Sequence, residues 1–319
     1  VKDWGNAKDP IIASFESVIG NANDPVNDLS MILHKYDYNQ SFSSSINQEV
    51  KKYSEDDIKA EIGNRLDLRK EICFTIDPKE AKDFDDAISI KKNKMGTEIG
   101  VHIADVSHFV TSNSLIDKEA MNRGTSVYFS EGVVHMLPKE LSADLCSIRP
   151  GVDRLAISSI IQLDQDYKVL NVDIRPTVIN SKARFTYEEV QSIIEGKVNH
   201  VFKAQINDLR ELSIKLYEQR GKNGSLDFDI PEPIFEMNKK GVPHKIRSSE
   251  RLISHRIVEE CMLLANKVVA VEIPKKLPNK FNFLYRVHTK PDSLRVERFA
   301  GLLKRLKLGI FIPDGDMSP

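Results

Sequence analysis

Cysteine is scarce in this chain: Cys73, Cys146 and Cys261 are the only three among 319 residues. An odd, dispersed set with no CxxC pair excludes a disulfide framework and a structural zinc site. It predicts a reducing, cytoplasmic setting with no disulfide partner. No apolar run approaches the ~18–20 residues that span a bilayer, and no signal peptide opens the chain, so no membrane is expected. Excess charge is also missing: 46 basic against 47 acidic residues leave a net −1. That balance excludes a globally basic nucleic-acid binder. Any polyanion site must come from local clusters such as Lys91, Lys92 and Lys94, or Arg247, Arg251 and Arg256, which suit a solvated surface equally well. No internal repeat or low-complexity segment occurs. What remains is the composition of an ordinary globular protein, 40% hydrophobic and 29% charged. The chain opens on Val1 and ends at Met317-Ser318-Pro319 without a terminating pattern, which suggests a piece of a longer polypeptide.

Ile11 to Ile19 reads as a strand, halted by Gly20-Asn21-Ala22-Asn23, and Asp24-Pro25 starts a short helix through Lys35. The polar stretch from Ser43 to Leu66, with Ser54 and Asp57 at capping-box spacing, reads as a helical linker. Short β-branched runs at Glu71 to Ile76, Ala87 to Ile90 and Ile99 to Ala104 predict strands, and a second β-rich stretch covers Leu155 to Val178. Helical spacing of Ile206, Leu209, Leu212 and Leu216 predicts a helix over 204–220, with Gly221 placed to cap it. Further helices are expected over 251–271 and 291–308. Strands and helices without regular βαβ alternation indicate α+β.

The chemistry concentrates between two predicted strands. Asp77, Asp83, Asp85 and Asp86 lie within ten residues, in a segment that Pro78 keeps out of regular structure. A pair of carboxylates ~4–6 Å apart repels by several kcal/mol at an effective dielectric near 20. Protonation, pairing with Lys79 or Lys82, or a hard cation relieves that. An acidic solvated turn and a magnesium site for phosphoryl chemistry both remain open on spacing alone. The spacing is not that of an EF-hand.

The run Thr75-Ile76-Asp77-Pro78-Lys79-Glu80-Ala81-Lys82-Asp83-Phe84-Asp85-Asp86-Ala87-Ile88 closely resembles the signature of the ribonuclease II/ribonuclease R (RNB) family. The resemblance continues through His102-Ile103-Ala104-Asp105-Val106, Met136-Leu137-Pro138-Lys139-Glu140-Leu141-Ser142, Leu145-Cys146-Ser147-Ile148 and Ile257-Val258-Glu259-Glu260. It ends near Tyr285-Arg286-Val287-His288. It implies an α+β catalytic core over 68–319, a mixed, mainly antiparallel sheet surrounded by helices. A helical linker would precede it at 23–67, and the end of a cold-shock-type OB barrel at 1–22. It further implies processive 3′-to-5′ hydrolysis of single-stranded RNA to nucleoside 5′-monophosphates by a monomer. One or two Mg2+ ions would sit on Asp77, Asp83, Asp85 and Asp86.

By the same resemblance Tyr128 and Phe228 match aromatics that stack on bases, where each would otherwise read as core. Tyr187 and Glu259 match the pair that reads the ribose. Helical phase sets Glu259 opposite the apolar stripe Ile257, Cys261, Leu264 and Val268, which also suits a solvated face, while Glu260 lies nearer the stripe. His102, Asp105 and His108 match no zinc spacing and read as packed, hydrogen-bonded residues. Cys146, with no nearby His, reads as buried. Two departures stand out. His135 replaces a Pro before Met-Leu-Pro, and the family's downstream Arg segment, which holds the scissile phosphate, lies beyond this sequence. Loss of such a guanidinium predicts weak activity for the piece alone. The competing expectation is a non-catalytic RNA-binding or regulatory protein on the same fold, against which retention of all four aspartates weighs.

Overall fold

Apolar residues alternating with period two build one seven-stranded sheet through the middle of the chain. The computed structural model describes residues 2–308 apart from 3, 4, 7, 8, 16, 22, 23, 25, 26, 130, 131, 228, 229, 232, 239–241, 278–282, 288 and 290. Its strands are β1 (Leu66–Asp67), β2 (Cys73–Asp77), β3 (Asp86–Asn93), β4 (Gly96–Ala104), β7 (Asp153–Leu163), β8 (Val169–Asn180) and β9 (Ala183–Thr186). A separate hairpin joins β5 (Val127–Phe129) to β6 (Gly132–Val134), and another joins β10 (Pro233–Met237) to β11 (Pro243–Ser248). The sheet order is β1-β8-β7-β4-β3-β2-β9. The two edge pairs, β1 with β8 and β2 with β9, are parallel, and the inner pairs are antiparallel. The α+β core expected from the sequence is therefore present.

Alternation sends neighbouring side chains to opposite faces, and helices cover both. On one face Phe74, Ile76, Ile88, Ile90 and Val101 pack with α6 (Tyr187–Ile194), α7 (Lys203–Lys222) and the first part of α8 (Ile253–Lys276). On the other, Cys73, Ala87, Ala104 and Ala156 pack with α2 (Ser44–Val50), α3 (Glu55–Glu61), α4 (Val106–Phe109) and α5 (Leu115–Arg123). Full burial of each large apolar side chain contributes ~1.5–3 kcal/mol. Ile46, Val50 and Ile58, from the stretch read as linker, are buried in this second core. The capping box of α3 forms as expected, the Ser54 amide donating to Asp57 Oδ2 at 2.7 Å.

Two expectations are corrected. Helix α7 runs through Gly221 and closes one turn later, at Asn223 and left-handed Gly224 (φ 87°). There the Ser225 N–H donates to the Arg220 carbonyl and the Gly224 N–H to the Gly221 carbonyl. A paired closing motif needs the positive φ at Gly224, whereas Gly221 tolerates helical geometry. Among the described residues the strand expected over Ile11–Ile19 does not form; Ile12 makes a single bridge, accepting from Lys2 N–H at 2.7 Å. Phe15 and Val18 are about four-fifths exposed (81% and 79%), so no ladder or core holds them as a strand.

The chain divides into two compact units, Val1–Val269 and Ala270–Pro319. The first contains the sheet. The second contains α9 (Ser293–Arg305), which starts where Asp292 Oδ1 accepts the Arg295 N–H at 3.1 Å. Helix α1 (Asp28–Lys35) precedes the core helices. No described helix is long and apolar enough to cross a membrane.

Candidate active site

Asp77 ends β2 and Asp86 begins β3, so neighbouring antiparallel strands deliver both carboxylates to one end of the sheet, and residues 78–85 form the loop between them. The loop is pinned from several sides. Ser147 Oγ accepts the Phe84 N–H at 3.0 Å and donates to the Lys82 carbonyl at 3.1 Å. The Ile148 N–H donates to the Phe84 carbonyl and the Ala104 N–H to the Asp85 carbonyl. Arg184 Nη2 donates to the carbonyls of Pro78 at 2.7 Å and Lys79 at 3.0 Å, with its guanidinium over the Phe84 ring. Ser147 is held in turn by fully buried Arg154, whose Nε donates to its carbonyl at 3.0 Å. Arg154 also pairs with Glu55 and Asp144.

Four acids thus share a pinned loop, and ionisation of Asp77, Asp85 and Asp86 is disfavoured. Burial pushes Asp77 up to about 6; the Thr75 hydroxyl and then Arg184 pull it down, while Asp85 and Asp83 add repulsion. Burial, then the charges of Asp77 and Asp85, pushes Asp86 up to about 6. Asp85 reaches solvent, yet its crowded surroundings raise it too, with Asp83 next in effect. Asp77 is 8% exposed, and its Oδ2 is buried without a hydrogen-bond partner. The acids are electrostatic neighbours without closing on a common point: among the described residues no three His, Cys, Asp or Glu side chains gather to hold a metal ion.

The sequence-predicted RNA residues fall at separate places. Tyr128, on the β5–β6 hairpin, is 65% exposed and donates its hydroxyl to Asp83 Oδ2 at 2.9 Å. Burial and then Asp83 push that phenol up to about 12, so it stays a donor. Tyr187 opens α6 directly after Thr186, the β9 residue in register with Asp77. Its hydroxyl is likewise pushed up to about 12, by burial and then by Asp77 and Asp86. The Tyr187 ring stacks on His255 at 4.0 Å and 19°. Four residues on along α8, Glu259 lies on the same helix face as His255. Its Oε2 accepts from Arg251 Nη2 at 2.5 Å, and Arg220 lies 3.5 Å from its Oε1. Phe228 lies outside the described residues.

Other readings resolve cleanly. His102 is 1% exposed, and its ring bonds to the hydroxyls of Ser89 at 3.0 Å and Ser158 at 2.7 Å. Asp105 pairs with Arg65 at 2.7 Å. Glu260, 2% exposed, takes Arg220 at 2.8 Å. Cys146 is buried, its thiol pushed up to about 12. The basic clusters are largely neutralised locally. Lys91 pairs with Glu71 and Glu98, and Lys92 with Asp208 and Glu211. Arg247 pairs with Glu236, and Arg251 and Arg256 with Asp227. Sequence reasoning missed Ser147, Arg184 and His255. For His255 a signal existed, its four-residue spacing from Glu259. Ser147 stands inside the Leu145-Cys146-Ser147-Ile148 motif without a role assigned to it, and only the folded register brings Arg184 to the loop.

The family model described as "RNB domain" matches residues 65–314. Ribonuclease R of Aquifex aeolicus (strain VF5) is 37% identical over 312 residues, covering 96% of this chain and 44% of that protein. A structure of Mycoplasma genitalium RNase R in complex with ribose-methylated single-stranded RNA superposes with a TM-score of 0.87 at 29% identity, over 95% of this chain and 47% of that one. Yeast Ssd1, described as a pseudonuclease, has a TM-score of 0.69 at 16% identity over 91% of this chain and 36% of that one, a likeness of fold alone. The chain spans less than half the length of the curated relatives it matches, 44%, 35% and 43% of three of them.

Proposed function

This chain belongs to the RNB domain family, and on that premise we propose that it forms the magnesium-dependent core of a processive 3′-to-5′ exoribonuclease. It would hydrolyse single-stranded RNA to nucleoside 5′-monophosphates. The observation that carries the reading is the pinned loop of four carboxylates, two of them pushed up to about 6 by burial and mutual repulsion. A structural turn has no use for that strain, whereas a divalent cation offsets it. The donors fit magnesium: all are carboxylate oxygens, and the buried Asp77 Oδ2 has only the Thr75 hydroxyl near it and no well-formed hydrogen bond. Asp77 and Asp86 would be the chief ligands, with Asp83 and Asp85 completing the shell. Bound magnesium, as one or two ions, supplies charge stabilisation of the reacting phosphate and an activated water.

The chain's own groups do the rest. Arg184 and Ser147 fix the backbone of the loop, so that only the carboxylate side chains would turn to meet a common ion. The exposed Tyr128 ring, beside Asp83, offers a base-stacking face at the reacting end, with Phe228 as its partner along the strand. Tyr187 and Glu259 test the sugar through its 2′-OH. Three free, buried cysteines support a cytoplasmic setting.

The test is incubation of 5′-labelled oligo(A) with the full-length protein in magnesium or EDTA, since this chain alone is expected to be weakly active. Stepwise shortening that EDTA abolishes is expected, with Asp86→Asn slowing it about a hundredfold or more while RNA binding persists. Binding without shortening by the full-length protein at any magnesium concentration would favour the non-catalytic alternative and sink the enzyme.

A further inference from the structure

Arg251 was legible in the sequence only as part of a basic cluster, yet its guanidinium faces inward and bridges two acids. Nη1 donates to Asp227 Oδ1 at 2.6 Å and Nη2 to Glu259 Oε2 at 2.5 Å. Asp227 has a second cation, Arg256, at 3.8 Å, whose guanidinium lies 4.1 Å over the Tyr217 ring. Two residues earlier, Ser225 Oγ accepts from Arg220 Nη1 at 2.8 Å, and Arg220 is anchored on buried Glu260. The segment 225–227 is therefore tied down twice, once to α7 and once, through Arg251, to the residue read here as the sugar sensor.

We propose that Arg251 is a positioning residue for sugar selection, acting through Glu259 by fixing its carboxylate at the site wall. The inference rests on the proposed ribose reading by Glu259. Arg251 occupies Oε2, which leaves Oε1, with Arg220 at the longer 3.5 Å, as the oxygen open to a hydroxyl. The fork matters because one planar guanidinium holds both acids at once, which an ammonium does not reproduce. His255 and Glu259 lie one turn apart on α8, and Arg251, just before that helix begins, reaches Glu259, so the ring stacked under Tyr187 and the sensor line one face with the fork at its start. Glu259 is 37% exposed even with Arg251 in place, and without it only the longer Arg220 contact at 3.5 Å keeps the side chain from turning into solvent. A 2′-OH must then order it on binding, whereas a deoxyribose end makes no such demand.

The experiment compares Kd values for matched RNA and DNA oligonucleotides by fluorescence anisotropy in EDTA, where no cleavage intervenes. Arg251→Ala is expected to narrow the RNA-over-DNA preference about three- to tenfold, the cost of ordering one side chain, with DNA affinity unchanged. Arg251→Lys should recover only part. Equal weakening of RNA and DNA would show a merely structural clamp and overturn the inference. Asp227→Asn, which loosens one arm of the fork, gives the same two outcomes should Arg251→Ala fail to fold. Glu259→Gln separates the premise. If it leaves the preference at the wild-type value, or if the wild type has none, the ribose reading itself falls. If it narrows the preference and the Arg251 variants do not, only the present inference falls.

Discussion

Asp86 shows how far a single residue can be pushed from its ordinary chemistry. Its carboxyl moves from 3.8 to about 6 through burial and the charges of Asp77 and Asp85. The folded state thus holds this proton more tightly than the unfolded chain, so stability falls as pH rises between about 4 and 6, and the full penalty persists above. The neutral amide of Asp86→Asn escapes it. Metal-free Asp86→Asn protein should be more stable than wild type at pH 8 by about 1–2 kcal/mol, below the ~3 kcal/mol that the whole displacement represents. Melting curves in EDTA from pH 8 to 4 check this, and the gap should close near pH 4. His102 works in the opposite sense: burial lowers it to about 4, so its neutral ring costs stability as pH falls from 6.5. That contribution is common to both proteins and cancels in the difference. An unchanged gap at pH 4, or a less stable variant at pH 8, would contradict the strained-acid account. The carboxylates were legible because they sit ten residues apart or fewer. The groups that hold them were not: Ser147 lies 63 residues from Phe84, and Arg184 lies 106 from Pro78.

At the scale of elements, the acidic loop is a short connection made rigid by distant parts of the fold. Ser147 carries the most with one atom, since its hydroxyl serves both the Phe84 N–H and the Lys82 carbonyl and the residue is wholly buried. Ser147→Ala leaves both backbone groups without that partner, which costs about 1–3 kcal/mol per buried group left unmade. The expected outcome is a lower melting temperature and a weaker stabilisation by added magnesium, read from melting curves with and without the ion. A variant that melts lower yet gains as much from magnesium as wild type would show that Ser147 supports the fold and not the loop. Most elements here were readable because two-residue and 3.6-residue periodicities mark strands and helices directly. What failed was local punctuation. Gly221 looked like a helix end, but the following Asn223-Gly224 pair makes the better closing geometry. Ile11 to Ile19 has strand composition, but composition does not supply a neighbour to pair with.

For the whole molecule, the net charge of −1 raises the question of how a polyanion is held. The obvious basic clusters do not answer it, because Lys91, Lys92, Arg247, Arg251 and Arg256 are paired with acids of the same fold. Among cations beside the acidic loop, Lys79 and Lys82 are exposed and flank the carboxylates. If only about two such lysines neutralise phosphates, counterion release gives a slope of about −1.4 in log K against log salt for a single strand. On the proposed function the remaining affinity would then come from stacking on Tyr128 and from the Tyr187–Glu259 wall, neither of which salt weakens strongly. Anisotropy titrations of oligo(A) from low to high salt in EDTA measure the slope directly. Reversing Lys79 and Lys82 together to Glu should flatten it towards zero, while Tyr128→Ala should lower affinity at every salt concentration without changing it. A steep slope of about −4 or beyond in the wild type would mean that several of the paired cations leave their carboxylates for RNA, and the ion-pair map would then describe the free protein alone.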